Sequence, residues 1–154
     1  MRWRIIVVAA AASACLGMAR PQAGKTDQEA LQGVWRVVSG EMGGKPLPDE
    51  EIKKWEAQLT IKGNMLTWKT TMEEDTGTFA IDSAKKPKHL DITAKMLNDG
   101  KVVKGIYELK GDELKICMPL APEKGQKAVF ENKRPEGFET KGKPEMMLKL
   151  KRAQ

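Results

Sequence analysis

The chain has 154 residues, the length of one domain with small appendages. Its 27 Lys+Arg against 21 Asp+Glu give a formal charge of +6. Basic and acidic residues interleave, as in Glu113-Leu114-Lys115 and Lys141-Gly142-Lys143-Pro144-Glu145, which indicates a solvated surface and excludes a one-sided nucleic-acid patch with aromatic platforms.

Met1-Arg2-Trp3-Arg4 is a short basic stretch, and Ile5 to Ala14 is an apolar run. The run is too short to span a bilayer as a helix, which takes roughly 20 apolar residues. Length and flanks fit a secretory signal peptide over 1–23, so the protein is expected to be exported, periplasmic or secreted. Ala12-Ser13-Ala14 before Cys15 fits signal cleavage and also resembles a lipoprotein box; the alternative is a lipid anchor on Cys15, which would be its one route to a membrane. Gly17-Met18-Ala19 and Pro21-Gln22-Ala23 are later cleavage sites. A signal ending near Ala23 removes Arg2, Arg4 and Arg20 and lowers the charge from +6 to +3. Cys117 then stands alone and no internal disulfide is possible. A mature chain of about 130 residues is long enough to be held by its core.

Residues 24–30 are expected to be a polar leader, with the folded domain spanning 31–154. From there short alternating segments follow one another at the spacing of an all-β sandwich or barrel. Val34 to Glu41 is the first strand. Pro48-Asp49-Glu50-Glu51-Ile52-Lys53-Lys54-Trp55 is expected to be a short helix: proline suits a helix start, acids lead and lysines follow along the dipole, and Ile52 and Trp55 share a face. It falls between strands one and two, where it could cover a barrel end. Gln58–Lys62 and Met65–Thr71 form a hairpin around Gly63-Asn64, whose residues tolerate positive φ.

Glu73-Glu74-Asp75 lies in the next expected turn, before a strand at Gly77–Asp82. Lys85-Lys86-Pro87 breaks the pattern ahead of His89–Ala94, and Asn98-Asp99-Gly100 is a turn. Val102–Lys110 and Glu113–Met118 form a second hairpin around Gly111-Asp112. Ala128–Glu131 is a candidate short strand, and Met146–Arg152 closes the domain. Without long crossovers, about eight strands imply an antiparallel up-and-down β-barrel.

Period-2 alternation assigns the inner face to Trp35, Val37, Leu59, Ile61, Leu66 and Trp68, then to Phe79, Ile81, Leu90, Ile92, Tyr107 and Leu109. Leu114, Ile116, Met118, Leu148 and Leu150 complete it. The intervening positions, such as Arg36, Thr60, Lys69, Asp91, Lys115 and Lys149, are polar, as a sheet with one wet face requires.

Four blocks carry a resemblance. They are Leu31-Gln32-Gly33-Val34-Trp35-Arg36-Val37-Val38-Ser39-Gly40-Glu41 with Gly44-Lys45-Pro46-Leu47-Pro48; Gly77–Asp82 running into Lys86–Thr93; Gly105–Cys117; and Arg134-Pro135-Glu136-Gly137-Phe138 with the closing Leu148-Lys149-Leu150-Lys151-Arg152. Together they resemble the lipocalin-like family of small exported domains abundant in planctomycete bacteria. The resemblance covers nearly all of the mature chain. It implies a lipocalin- or calycin-like barrel and export, and carries no activity with it. It also implies that Gly33 and Trp35 close one barrel end, with Arg152 or Lys151 stacking on the indole as a cation on a π face.

No catalytic constellation emerges. His89 is the sole histidine and reads as an exposed residue beside a turn, without a second imidazole for a metal. Glu73-Glu74-Asp75 lacks the spacing of a calcium loop and reads as a solvated turn. Cys117 alternates away from Ile116 and Met118 and reads as a small apolar residue under neighbouring segments. The expectation is therefore a non-enzyme without cofactor or metal, a monomer that binds no nucleic acid. Trp68, Phe79 and Tyr107 are the candidate lining for a small hydrophobic molecule inside the barrel. The alternative is an envelope protein–protein interaction module with a solid core. The volume behind those three aromatics separates the two.

Overall fold

The computed structural model describes residues 24–97, 99–120 and 132–154. The expected signal peptide, Cys15, Asn98 and the candidate strand at Ala128–Glu131 lie outside the described residues. The remainder is a closed, eight-stranded antiparallel barrel. In chain order its elements are α1 (Asp27–Ala30), β1 (Gly33–Met42), β2 (Lys45–Pro46), α2 (Asp49–Trp55), β3 (Gln58–Lys62), β4 (Met65–Lys69) and β5 (Glu74–Asp82). β6 (Lys88–Ala94), β7 (Val102–Lys110), β8 (Glu113–Pro119) and β9 (Glu145–Arg152) follow. Strands β1 and β3 to β9 pair in meander order, and β9 returns to β1 to close the ring. The two-residue β2 folds back on the end of β1 and stays outside the ring.

The alternation in the sequence accounts for the closure. Trp35, Leu59, Ile61, Leu66, Phe79, Leu90, Ile92, Tyr107, Leu114, Ile116, Leu148 and Leu150 all point inward and form one continuous core with Val37 and Met118. A slip of one residue in any strand would turn that whole set to water. One irregularity, a bulge between Val37 and Ser39 in the β1–β9 ladder, leaves Val38 outside. The helix expected between the first two barrel strands is α2, with Pro48 immediately before it and Glu56 ending it at φ 47°. Its Ile52 is buried and Trp55 packs against the core.

The structure adds order where a leader was expected. Thr26 and Glu29 form a reciprocal capping box, satisfying amide donors that a helix start leaves free. The single turn of α1 then delivers Leu31, 2% exposed, to the barrel end. The acidic run also differs from expectation. Glu74 and Asp75 belong to β5, which starts three residues before Gly77, and the β4–β5 turn is confined to residues 70–73. Thr70 builds that turn by donating its N–H to the Glu73 carbonyl and accepting from the N–H groups of Met72 and Glu73.

A strap over residues 132–144 covers the outer face of β7, β8 and β9. The Asn132 amide bonds the Lys104 N–H and the Val102 carbonyl, backbone groups of β7 that precede its pairing with β8. Arg134 donates to the Gly105 carbonyl and pairs with Asp91 at 2.7 Å. Thr140, fully buried, donates to Glu41 and accepts the Gly44 N–H. Beneath the strap Phe138 packs on Ile106, Cys117 and Met147. Those three therefore point outward and are still buried.

Candidate functional site

The two ends of the barrel differ in kind. The end where β1 begins and β9 finishes is closed. Trp35 is fully buried, and its indole N–H donates to the Leu31 carbonyl at 2.8 Å. Arg152, the last residue of β9, lies over the indole with its guanidinium carbon 4.2 Å from the ring centroid. Its other edges donate to the carbonyls of Gln32 and Ala30 and to Asp112. One planar fork thus ties α1, the β7–β8 turn and the Trp35 face together, which a lysine could not do. Lys151 instead reaches outward to Glu113.

Gly33 explains the first residue of the Gly-x-Trp motif. Its φ is +120°, a conformation that side chains rarely adopt, and a Cβ there would sit 3.1 Å from the Arg152 guanidinium.

Tyr107 completes this floor. Its hydroxyl donates to Asp27 Oδ2 at 2.7 Å, and Lys88 Nζ donates to the same oxygen at 2.6 Å. Burial raises the Asp27 carboxyl, but the hydrogen bonds from Lys88 and Tyr107, helped by the Lys88 charge, overcome it and hold the group below the usual aspartate value. Burial first, and then the bond to Asp27, push the Tyr107 phenol well above its ordinary value. The space left among Leu31, Phe79, Leu90 and Tyr107 is about 10 Å³, at the limit of what a single water needs. This half of the barrel is solid.

The opposite half is a cup. A cavity of about 340 Å³ opens between the ends of β4 to β6, β8 and β9, lined by Leu66, Trp68, Ala94, Met118, Met146 and Leu148. That volume lies at the lower end of small-molecule sites. Its origin is in the residue sizes. Gly77 faces Ala94 across β5–β6 and Leu66 across β4–β5. Gly77 cannot carry a side chain, because a Cβ would meet the Thr93 carbonyl oxygen at 2.2 Å and the Ala94 Cβ at 2.8 Å. Where the floor layer holds Phe79 and Tyr107, this layer holds a hydrogen and a methyl group, and the difference in volume is the cup.

Of the three aromatics expected to line one site, Trp68 lines this cavity; Phe79 and Tyr107 lie beneath it. The sequence reading missed Asp75. It is the register partner of Trp68, so the two share the inner face at the rim. Asp75 Oδ2 accepts the Met96 N–H at 2.8 Å, and Met96 and Glu73 complete the mouth.

Another depression, about 290 Å³, lies on the outer face among Lys110, Lys115, Lys149, Lys151, Glu108 and Glu113. It is a wet surface laced by ion pairs of Glu108 with Lys110 and Lys115 and of Glu113 with Lys151. The remaining singled-out residues are scattered. His89 is half-buried on the outer face, opposite Asp82 and Ile106. Cys117 is fully buried under the strap, and burial, helped by the Glu145 and Glu41 carboxylates, pushes its thiol up to about 12, which leaves no thiolate at neutral pH. Among the described residues no three His, Cys, Asp or Glu side chains form a metal-holding group, and no helix is long and apolar enough to cross a membrane.

No protein-family model matches the chain, and no curated protein matches it.

Proposed function

We propose that this protein is an exported binding domain that holds a small apolar molecule, non-covalently, in the open half of its barrel. The observation that carries the reading is the cavity of about 340 Å³ above a solid floor. Its walls are apolar side chains on strands locked by a closed ladder, so the cup exists before any ligand arrives and little ordering opposes binding. The signal-like N-terminus and the resemblance to small exported barrels support the location. The rival, a solid barrel acting through its loops, accounts for the floor and gives no reason for the cup.

The volume suits an occupant of modest size. At about 30 Å³ per water-sized group, the cavity takes roughly ten methylenes. Burying these at about 0.8 kcal/mol each gives about 8 kcal/mol gross. Lost translational and rotational freedom offsets at least about 4 kcal/mol of that, so the dissociation constant lies near the millimolar.

Calorimetric titration of the folded protein with decan-1-ol tests the reading. The expected result is saturable binding at one molecule per chain with a negative heat-capacity change, the mark of apolar burial. No heat beyond dilution, or non-saturable uptake, contradicts it.

A further inference from the structure

The polar groups at the cup mouth specify more than an apolar occupant, and this step rests on the binding reading above. Among the described residues, Asp75 and Glu73 supply the charged groups that line the cavity, and both are acids. That is against the trend of a chain carrying 27 Lys+Arg and 21 Asp+Glu. Some lysines elsewhere on the surface pair with carboxylates: Lys69 with Glu74, Lys88 with Asp27, Lys115 with Glu108. Among the described residues neither Glu73 nor Asp75 enters an ion pair. Glu74, between them in sequence, points to the outer face and takes the nearby Lys69.

Asp75 is held in place. One carboxylate oxygen is fixed by the Met96 N–H, and its β5 position fixes it opposite Trp68. Glu73 sits at the end of a turn that Thr70 closes with four hydrogen bonds. The rim therefore presents one anchored carboxylate, Asp75, and one exposed carboxylate on a fixed backbone, Glu73, with Trp68 in the same lining over a hydrocarbon-lined cup. A carboxylate with an adjacent aromatic ring attracts an organic cation through charge and through the ring quadrupole. The same pair repels the carboxylate of a fatty acid.

We infer that the occupant is a cationic amphiphile: an apolar body of about ten carbon-sized groups inside the barrel, and a protonated amine or quaternary ammonium at the Asp75–Glu73 rim beside Trp68.

Three probes with one tail test this: decyltrimethylammonium, decan-1-ol and decanoate, each titrated into the full chain below its micelle concentration. The expected order is cation, alcohol, carboxylate, with the cation at least tenfold tighter than the alcohol at low salt and the gap narrowing as salt rises. In the double variant Glu73→Gln, Asp75→Asn the cation should fall to within about threefold of the alcohol, both measured in that variant. Equal binding of cation and alcohol, or decanoate as the tightest probe, overturns the inference and leaves the apolar cup standing. Silence of all three overturns the binding reading itself, and this one with it. Loss of alcohol binding in the double variant would mean that the carboxylates hold the cup open, and would overturn their role in selecting charge.

Discussion

The Tyr107 hydroxyl and the Asp27 carboxylate, 80 residues apart in sequence, meet at 2.7 Å beneath the barrel floor, with Lys88 on the same oxygen. The bond joins the turn of α1 to the centre of β7. It uses up the hydroxyl of a residue expected to line a ligand site and turns that aromatic into part of the seal.

Tyr107→Phe removes one donor and leaves Asp27 bonded to Lys88. The cost should be about 1 kcal/mol, that of an ordinary hydrogen bond, read as a lower denaturant midpoint at unchanged slope. Decan-1-ol affinity should stay at the wild-type value, because the phenol lies under the cup. A loss of affinity without loss of stability would contradict this separation of floor and cup.

Acid should loosen the same seal. Asp27 titrates below its ordinary value of 3.8 in the folded chain, so its contribution is present above the unfolded value and fades as pH falls through the folded one. Glu29, held down by Thr26, and Glu108, held down by Lys110 and Lys115, act in the same direction. Asp27→Asn should be less stable than wild type at pH 7, with the gap closing below about pH 4. Denaturation midpoints from pH 2 to pH 7 measure it; a gap that widens in acid would refute the assignment.

Arg152→Lys keeps the charge and loses the fork. With two carbonyl bonds and the flat stack on Trp35 gone, the cost should be about 2 kcal/mol. Trp35→Ala should cost about 3–5 kcal/mol, the range for a buried aromatic. If Arg152→Lys matches wild type in thermal and chemical denaturation, the fork is ornamental.

Much of this architecture is legible in the chain. Val102–Lys110 has the bounds expected of it, and the inward set from Trp35 to Leu150 follows from alternation, because one face of the sheet is wet. Alternation places Ile106 and Met147 outward, where they lie, but gives no sign of the strap that buries them. A signal was present: Ile106-Tyr107, Ile116-Cys117-Met118 and Met146-Met147-Leu148 are consecutive apolar runs, as expected where both faces are buried. The strap has no period of its own and could not be placed. The cup was hidden for a different reason. It depends on Gly77 and Ala94 standing opposite each other, and that register exists once the strands pair. Asp75 was hidden with it, because an expected turn placed in solvent a carboxylate that β5 turns inward.

Filling the cup should separate binding from folding. Ala94→Phe puts a ring where a methyl group lines the cup. Cavity-filling changes of this sort are often neutral or stabilising when the backbone need not move. The variant should keep a near-native melting temperature and lose decan-1-ol binding at least tenfold. Retained binding in a folded Ala94→Phe protein would place the ligand elsewhere.

The proposed export has a consequence for the mass of the mature protein. The mature protein from its native host should lack residues up to Ala14, Ala19 or Ala23, or carry a diacylglyceryl group on Cys15. Intact mass spectrometry distinguishes all four. Full-length chain in the cytoplasmic fraction would contradict export.

The most direct test of a barrel solid below and open above is methyl-resolved NMR during a decan-1-ol titration. Shifts should saturate with one molecule per chain and concentrate on the methyl groups of Ala94, Met96, Met118, Met146 and Leu148, which line the cup, while Leu31 and Leu90 in the floor and the outer-face Val38 stay still. Absence of saturable shifts, or shifts centred on the outer face, would contradict it.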